Sequence, residues 1–294
     1  LKPSRRLAAI ALSLLSAALP RIAAQGRDAS APVVAVSILP QAYFVDRISG
    51  GAFKALVLVG PGQSPHSYEP SPRQMAELSK AAAWLSVGLE FEKGLKPKIA
   101  SLYPKLRIED TSSGVRFRAL EAHFDEGAFE EGGGPDPHFW LGRQGSEAMA
   151  ESICGALSEI DPAGAKGYAA RLAALKGDIE AAFSSLSPVL APMRGRTIIV
   201  FHPAFGYFLD EFGIRQEAVE AGGKEPTQKA LAALMKKARD EEAKVVFVQA
   251  QFPTSAALTL AKAIGGVVEP MDDLAPDWLA NIARMGNAIR KALK

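Results

Sequence analysis

The segment SEAMAESICGALSEIDPAGAKGYAARLAALKGDIEAAFSSLSPVL, Ser146–Leu190, decides the architecture. Its apolar residues recur at helical spacing, and its one cluster of turn formers is Asp161-Pro162-Ala163-Gly164. Two helices are therefore predicted, the second starting near Asp161-Pro162, with Asp as cap and Pro in the first turn. That second helix runs roughly 25 residues, and at about 1.5 Å per residue it is as long as a small domain is wide. A continuous helix hinges far less readily than a loop, so whatever flanks it is held rigidly apart.

Outward from this segment the pattern changes on both sides. Toward the N-terminus, VVAVSILP (33–40), KALVLVG (54–60) and AAAWLSVG (81–88) are short apolar or β-branched runs ended by Gly or Pro. Helix-spaced stretches such as SPRQMAELSKA (71–81) separate them. Toward the C-terminus the alternation resumes with TIIVFH (197–202), FGYFLDEFG (205–213), LAALMKKARDEEA (231–243), KVVFVQ (244–249), TSAALTLAKAIG (254–265) and GVVEPMDD (266–273). Strand–helix alternation indicates βαβ units and a mostly parallel sheet on each side. The predicted fold class is α/β: two α/β domains, residues 30–150 and 191–294, joined by linking helices over 151–190 that include the long rigid one.

The chain of 294 residues exceeds what one hydrophobic core usually serves, which agrees with two domains. Apolar residues make up 48% and charged residues 22%, with a formal net charge of +2, an ordinary globular composition. The bases are scattered along helical segments, as in KALAALMKKARDEEAK (229–244), so no nucleic-acid surface is indicated. At the start, LKPSRR, LAAIALSLLSAALP and RIAAQG read as the three regions of a cleavable export signal over residues 1–25. The apolar run is shorter than the roughly 20 residues of a membrane span. The single cysteine, Cys154, offers neither a disulfide framework nor an N-terminal lipid anchor, so the expected address is the periplasm.

The histidines are four, and three stand at marked places. His66 lies in the proline-stiffened PGQSPHSYEPSP (61–72) just after a predicted strand, His138 lies in GPDPHFWL (134–141), and His202 ends TIIVFH. Ligands of open α/β sheets gather beyond the carboxyl ends of strands, where His66 and His202 fall. The same rule brings in Asp272 and Asp273 at the end of GVVEPMDD. Three imidazoles and one carboxylate form a natural tetrahedral zinc set. Each candidate is more than sixty positions from the next, which excludes a compact local motif and requires ligands that meet between the two halves.

VGPGQSPHSYEPSPRQMAELSKA, DPHFWL, FHPAFGYFLDEFGI, GGKEPTQKALAALMKKARDEEAKVVFVQAQF and VVEPMDDL, in this order, resemble the signatures of the metal-binding solute-binding proteins of bacterial ABC importers for zinc and manganese. The resemblance is to the ZnuA-like zinc type, with the TroA-like fold. It implies a metal held between two α/β domains by His66, His138, His202 and, as fourth ligand, Asp272. It further implies a monomer that serves an ABC permease in the inner membrane, with a periplasmic zinc chaperone as another partner. Mn²⁺ is the alternative ion, although manganese-preferring relatives place a carboxylate where this chain has His202. Nitrogen donors favour zinc over manganese.

Two departures from that pattern matter: Gln249 stands where the family often has Glu, and Asp273 where relatives have proline, leaving the choice between Asp272 and Asp273 open. The loop EAHFDEGAFEEGGGPDPH (121–138) is short and acidic where zinc-type relatives carry a histidine-rich one. It reads as a solvated segment, although His123, Asp125, Glu130 and Glu131 could collect zinc weakly. Asp136 is a candidate to orient a ligating imidazole, and Glu69 and Tyr68 are neighbours of His66. The competing class, a secreted zinc hydrolase, lacks support: there is no HExxH element and no obvious general base, so no enzyme is expected. A chelate-binding protein would share the long helix but would not need convergent histidines.

Overall fold

The computed structural model describes residues 31–120, 123–125, 128–130, 134–220, 227–252 and 255–292. The export signal read over 1–25 lies outside the described residues, as does Glu131.

The first half builds a four-stranded parallel sheet from β1 (Val33–Val36), β2 (Lys54–Val57), β3 (Ala83–Ser86) and β4 (Arg107–Asp110), in the order β2-β1-β3-β4. α1 (Leu39–Ser49), α2 (Pro72–Leu78) and α3 (Glu90–Leu102) connect them. β3 is buried along its whole length and β1 along most of it, whereas β4, RIED, is exposed at both ends, as an outer strand requires. A short antiparallel hairpin follows, β5 (His123–Asp125) with β6 (Ala128–Glu130), pairing His123 with Glu130.

The second half repeats the scheme. β7 (Thr197–Val200), β8 (Arg215–Ala218), β9 (Val245–Val248) and β10 (Val267–Pro270) form a parallel sheet in the order β10-β9-β7-β8. Read from its second strand, this is the order of the first sheet. In both, the first and third strands lie side by side at the centre, which opens a crevice at their carboxyl ends. α6 (Gly206–Asp210), α7 (Gln228–Asp240) and α8 (Ser255–Ala263) alternate with these strands, and α9 (Trp278–Lys291) follows β10.

Between the sheets run α4 (Arg143–Ile160) and the 26-residue α5 (Ala165–Leu190). α5 buries Tyr168, Leu175, Ile179, Phe183, Leu186 and Leu190 along one face, packing on α4, α1 and α9 and so touching elements of both halves. The approach of α9 is close: a Cβ on Gly286 would fall 2.5 Å from Leu186 Cδ2. The expected start of this helix shifts. Residues 162–164 form a turn and α5 begins at Ala165, while the Asp161 carboxylate accepts from the Tyr168 hydroxyl instead of capping the helix. A core of apolar side chains runs from the first sheet through the linking helices into the second, and a smaller one lies under α7 and α8.

Candidate metal centre

Two loops at the carboxyl ends of β2 and β7, and the segment between the β5–β6 hairpin and α4, carry the histidines to one place. The loop after β2 is stiffened locally: Gly60 N–H donates to Gln63 Oε1 at 2.8 Å and His66 N–H donates to Ser64 Oγ at 3.3 Å. Ser71 closes it by accepting from Gln74 N–H as the cap of α2, and Gln74 Nε2 reaches back to Leu58 O at 2.9 Å. His66 is exposed as a residue while the Nε2 end of its ring is turned inward to His202, and among the described residues no carboxylate braces its Nδ1.

His138 is held differently. Asp136, fully buried, accepts from both the His138 main-chain N–H at 3.0 Å and its Nδ1 at 2.8 Å. One carboxylate thereby fixes the turn and the ring together. Burial works to raise the Asp136 pKa, but the hydrogen bonds and charge of His138 together with Arg118 outweigh it and hold the carboxyl below its ordinary range. Asp136, a candidate from the sequence for orienting an imidazole, thus contacts both the main chain and the ring of His138.

His202 follows β7, at the crevice between β7 and β9. Its Nδ1 bonds to Glu220, a buried carboxylate just beyond β8. Its main chain is gripped by Gln249 beyond β9, which accepts from His202 N–H at 3.3 Å and donates to His202 O at 3.1 Å. Gln249 therefore positions the histidine through its peptide groups and not through the ring. Phe252 covers the imidazole, with ring centroids 5.0 Å apart.

The three Nε2 atoms meet. His202 Nε2 lies 3.1 Å from His138 Nε2 and 3.3 Å from His66 Nε2. The space they share, lined also by Pro65, Leu89, Trp140, Gln251, Phe252 and Asp273, measures about 10 Å³, the room of one small particle. Among the described residues no group of three or more His, Cys, Asp or Glu is arranged to hold a metal ion as it stands. With metal–nitrogen bonds of about 2.0–2.1 Å, tetrahedral nitrogens are spaced about 3.3–3.4 Å. The His202–His66 separation already has this value, and the His202–His138 pair must part by a few tenths of an ångström.

The two aspartates separate in the structure. Asp273, buried, lines this space and accepts from Gln251 Nε2 at 2.7 Å. Asp272, the expected fourth ligand, turns away: its Oδ1 accepts from Leu274 N–H at 2.8 Å, and burial raises its pKa. Its carbonyl is taken by Asn281 Nδ2 at 2.6 Å.

Of the remaining candidates, Glu69 is exposed and outside the lining, and Tyr68 packs on Phe91 with centroids 5.0 Å apart. His123 sits on β5, and its side chain lies outside what is described, as do those of Asp125 and Glu130. Trp140 joins the halves by donating from Nε1 to Asp273 O at 2.8 Å while its own carbonyl accepts from Trp278 Nε1 at 2.7 Å. Glu220, Gln251 and Phe252 escaped the sequence reading. The signal for Glu220 was present: like His202, it closely follows a strand, but a polar edge strand that is hard to recognise.

Burial among these groups, together with the charge that His202 and His138 would bear if protonated, lowers the His66 pKa from 6.5 to about 4. The ring of His66 is thus neutral, with its lone pair available, across the physiological range.

Two similar sheets, a rigid helix between them and imidazoles converging from both sides define a metal-binding solute-binding protein. The sequence matches the family described as ZnuA, zinc-uptake complex component A, periplasmic, over residues 34–292, and the chain belongs to that family. It is similar to the high-affinity zinc uptake system protein ZnuA of Paracoccus denitrificans, 29% identical over 256 residues, 78% of each chain. It also resembles the zinc-binding protein AdcA of Streptococcus pyogenes, 24% identical over 82% of this chain and 50% of that protein. In the match to curated relatives from two Chlamydia species the chain spans 64% of their length. Its fold superposes on the crystal structure of ZnuA with a TM-score of 0.82 and 33% identity, covering 90% of this chain and all of the other. A ZnuA deletion mutant with zinc bound gives 0.81 and 33%, covering 89% of this chain and 98% of the other. Among the described residues no helix is long and apolar enough to cross a membrane.

Proposed function

We propose that the protein captures Zn²⁺ between its two α/β domains, residues 30–150 and 191–294, through Nε2 of His66, His138 and His202 and the carboxylate of Asp273, and delivers it to an ABC permease. One observation carries this. His138 and His202 each present Nδ1 to a carboxylate, which fixes the proton there and leaves Nε2 as a lone pair. His138 Nε2 and His202 Nε2, both left with lone pairs, repel at 3.1 Å unless a cation lies between them. Carboxylate–imidazole pairs of this kind raise ligand basicity and fix ring orientation toward a metal.

Three nitrogens and one oxygen favour zinc over manganese, whose preference is for an oxygen-rich set. Asp273 in the fourth position leaves no place for an activated water, which distinguishes a carrier from a hydrolase. The relatives named for zinc uptake support the same reading, and export of the chain to the periplasm over the 1–25 signal accords with it. Titration of metal-stripped protein with Zn²⁺ and Mn²⁺ by calorimetry tests the proposal: one tight zinc site and much weaker manganese binding are expected. X-ray absorption at the zinc edge should report three nitrogens and one oxygen. Equal affinity for both ions would displace zinc as the cargo, and no binding of either would remove the site.

A further inference from the structure

On the far side of Asp136 from His138 lies a connection that the metal site does not itself explain. Arg118, in the segment between β4 and the β5–β6 hairpin, sends Nη1 to Asp136 Oδ2 at 3.0 Å and Nε to Asp210 Oδ2 at 2.9 Å. Asp136 belongs to the loop that carries His138, whereas Asp210 ends α6 in the second half. Tyr207, also on α6, doubles the connection. Its hydroxyl accepts from Arg118 N–H at 3.0 Å and donates to Asp136 O at 2.9 Å. Arg118 O in turn accepts from Asp136 N–H at 2.9 Å, and the guanidinium lies 5.9 Å from the Tyr207 ring centre.

The seat of the guanidinium is shaped for it. A Cβ on Gly206 would fall 1.8 Å from Arg118 Nη1 and 2.4 Å from its Cζ, so the arginine rests against a backbone that has no side chain at that point. The two arms differ in environment: the Asp136 carboxylate is 0% exposed and that of Asp210 is 58% exposed. The inner arm is therefore strong and poorly screened, and the outer arm is the one that solvent can weaken.

We infer that Arg118 is a positioning residue for the metal pocket: it ties the carboxylate that orients His138 to α6 of the opposite domain, so that the pose of His138 depends on how the two halves are seated. The inference rests on the zinc reading of the pocket. Its consequence is that ion affinity is set partly by a contact between the domains, remote from the ion. A tilt that parts Arg118 from Asp210 loosens Asp136, and His138 with it.

The test uses metal-stripped protein and its variants Arg118→Ala, Gly206→Ala and Asp210→Asn, each also combined with His138→Ala. Gly206→Ala is informative because the residue lies in the first turn of α6 and the atoms nearest the added methyl all belong to the flexible end of Arg118, leaving Arg118, Asp136 and Asp210 in the sequence. Zinc affinity is read by competition with a chromophoric chelator, and the ligand field by the visible spectrum of the Co²⁺-loaded protein. Arg118→Ala and Gly206→Ala should weaken zinc by about tenfold, the lower end of the outer-shell range, and alter the Co²⁺ bands. Asp210→Asn should do so by a few-fold, and none should cost further affinity in the His138→Ala background. Wild-type affinity and an unchanged Co²⁺ spectrum in Arg118→Ala and Gly206→Ala would overturn the inference, whatever happens to thermal stability. Losses that add to that of His138→Ala would overturn it too. If the wild-type chain takes up no zinc, the metal reading falls and this one with it; if it binds and the variants match it, only the Arg118 role is lost.

Discussion

His66 and the pair His138–His202 reach the same point by opposite means. His138 and His202 are buried, each ring is anchored at Nδ1 by a buried carboxylate, and His202 is gripped in addition by Gln249. His66 rides on an exposed loop stiffened by prolines and by hydrogen bonds to its own small polar residues, and among the described residues its ring is met at Nε2 alone. Two of the proposed ligands are thus set by the core and one by an exposed loop. A carrier needs both properties, since a site built only from anchored ligands holds its ion too long and one built only from loops holds it too weakly. On the zinc reading proposed above, the exposed His66 side is where the ion would enter and leave.

The largest effect that can break this comparison comes from the ligands. His202→Ala or His138→Ala should weaken zinc by more than about 100-fold, beyond the outer-shell range. His66→Ala should lose less affinity and show its loss chiefly as faster release in stopped-flow chelator chase. Equal losses with equal release rates in all three would abolish the distinction between anchored and mobile ligands.

Next come the anchors. Glu220→Gln and Asp136→Asn should each cost about 10–100-fold in zinc affinity, measured by the same competition assay. Glu69→Gln, beside the mobile histidine but outside the pocket lining, should cost nothing.

The adjacent aspartates sharpen the picture further. Asp273→Ala should lower zinc affinity by about tenfold or more, as loss of a pocket carboxylate. Asp272→Ala should leave affinity unchanged and lower stability by about 1 kcal/mol, the worth of its hydrogen bond to Leu274. Calorimetric titration and chemical denaturation, run on both variants, separate the two outcomes.

The smallest effect is in the metal-free protein. His66 has a folded pKa of about 4 against an ordinary 6.5. Between those values the unfolded chain takes up a proton that the folded chain refuses, so this contribution is fully present above pH 6.5 and is lost as pH falls toward 4. The melting temperature of the metal-free wild type should therefore drop more between pH 7 and 5 than that of His66→Gln. Parallel curves would show that the ring is not buried enough to resist its proton.

Much of this was legible in the chain itself. The central strands β1, β3, β7 and β9 are continuous apolar runs because they are covered on both faces, and they stood out for that reason. β4 and β8, RIED and RQEA, did not, since outer strands carry polar side chains that obscure the strand pattern. Glu220 was hidden along with β8, on which its placement depends. The start of α5 was misjudged because Asp-Pro is both a capping pair and a turn former, and the bond from Tyr168 to Asp161 settles which.

By itself the sequence determined the two α/β halves, the long helix between them and three histidines at special places, because strand and helix periods, prolines and glycines act within a few residues of themselves. Only the tertiary structure decided that Asp273 and not Asp272 faces the histidines, that Glu220 and Asp136 fix their rings, and that Arg118 binds one half to the other. Those choices depend on the direction of a side chain relative to partners far along the chain, and packing alone sets that direction.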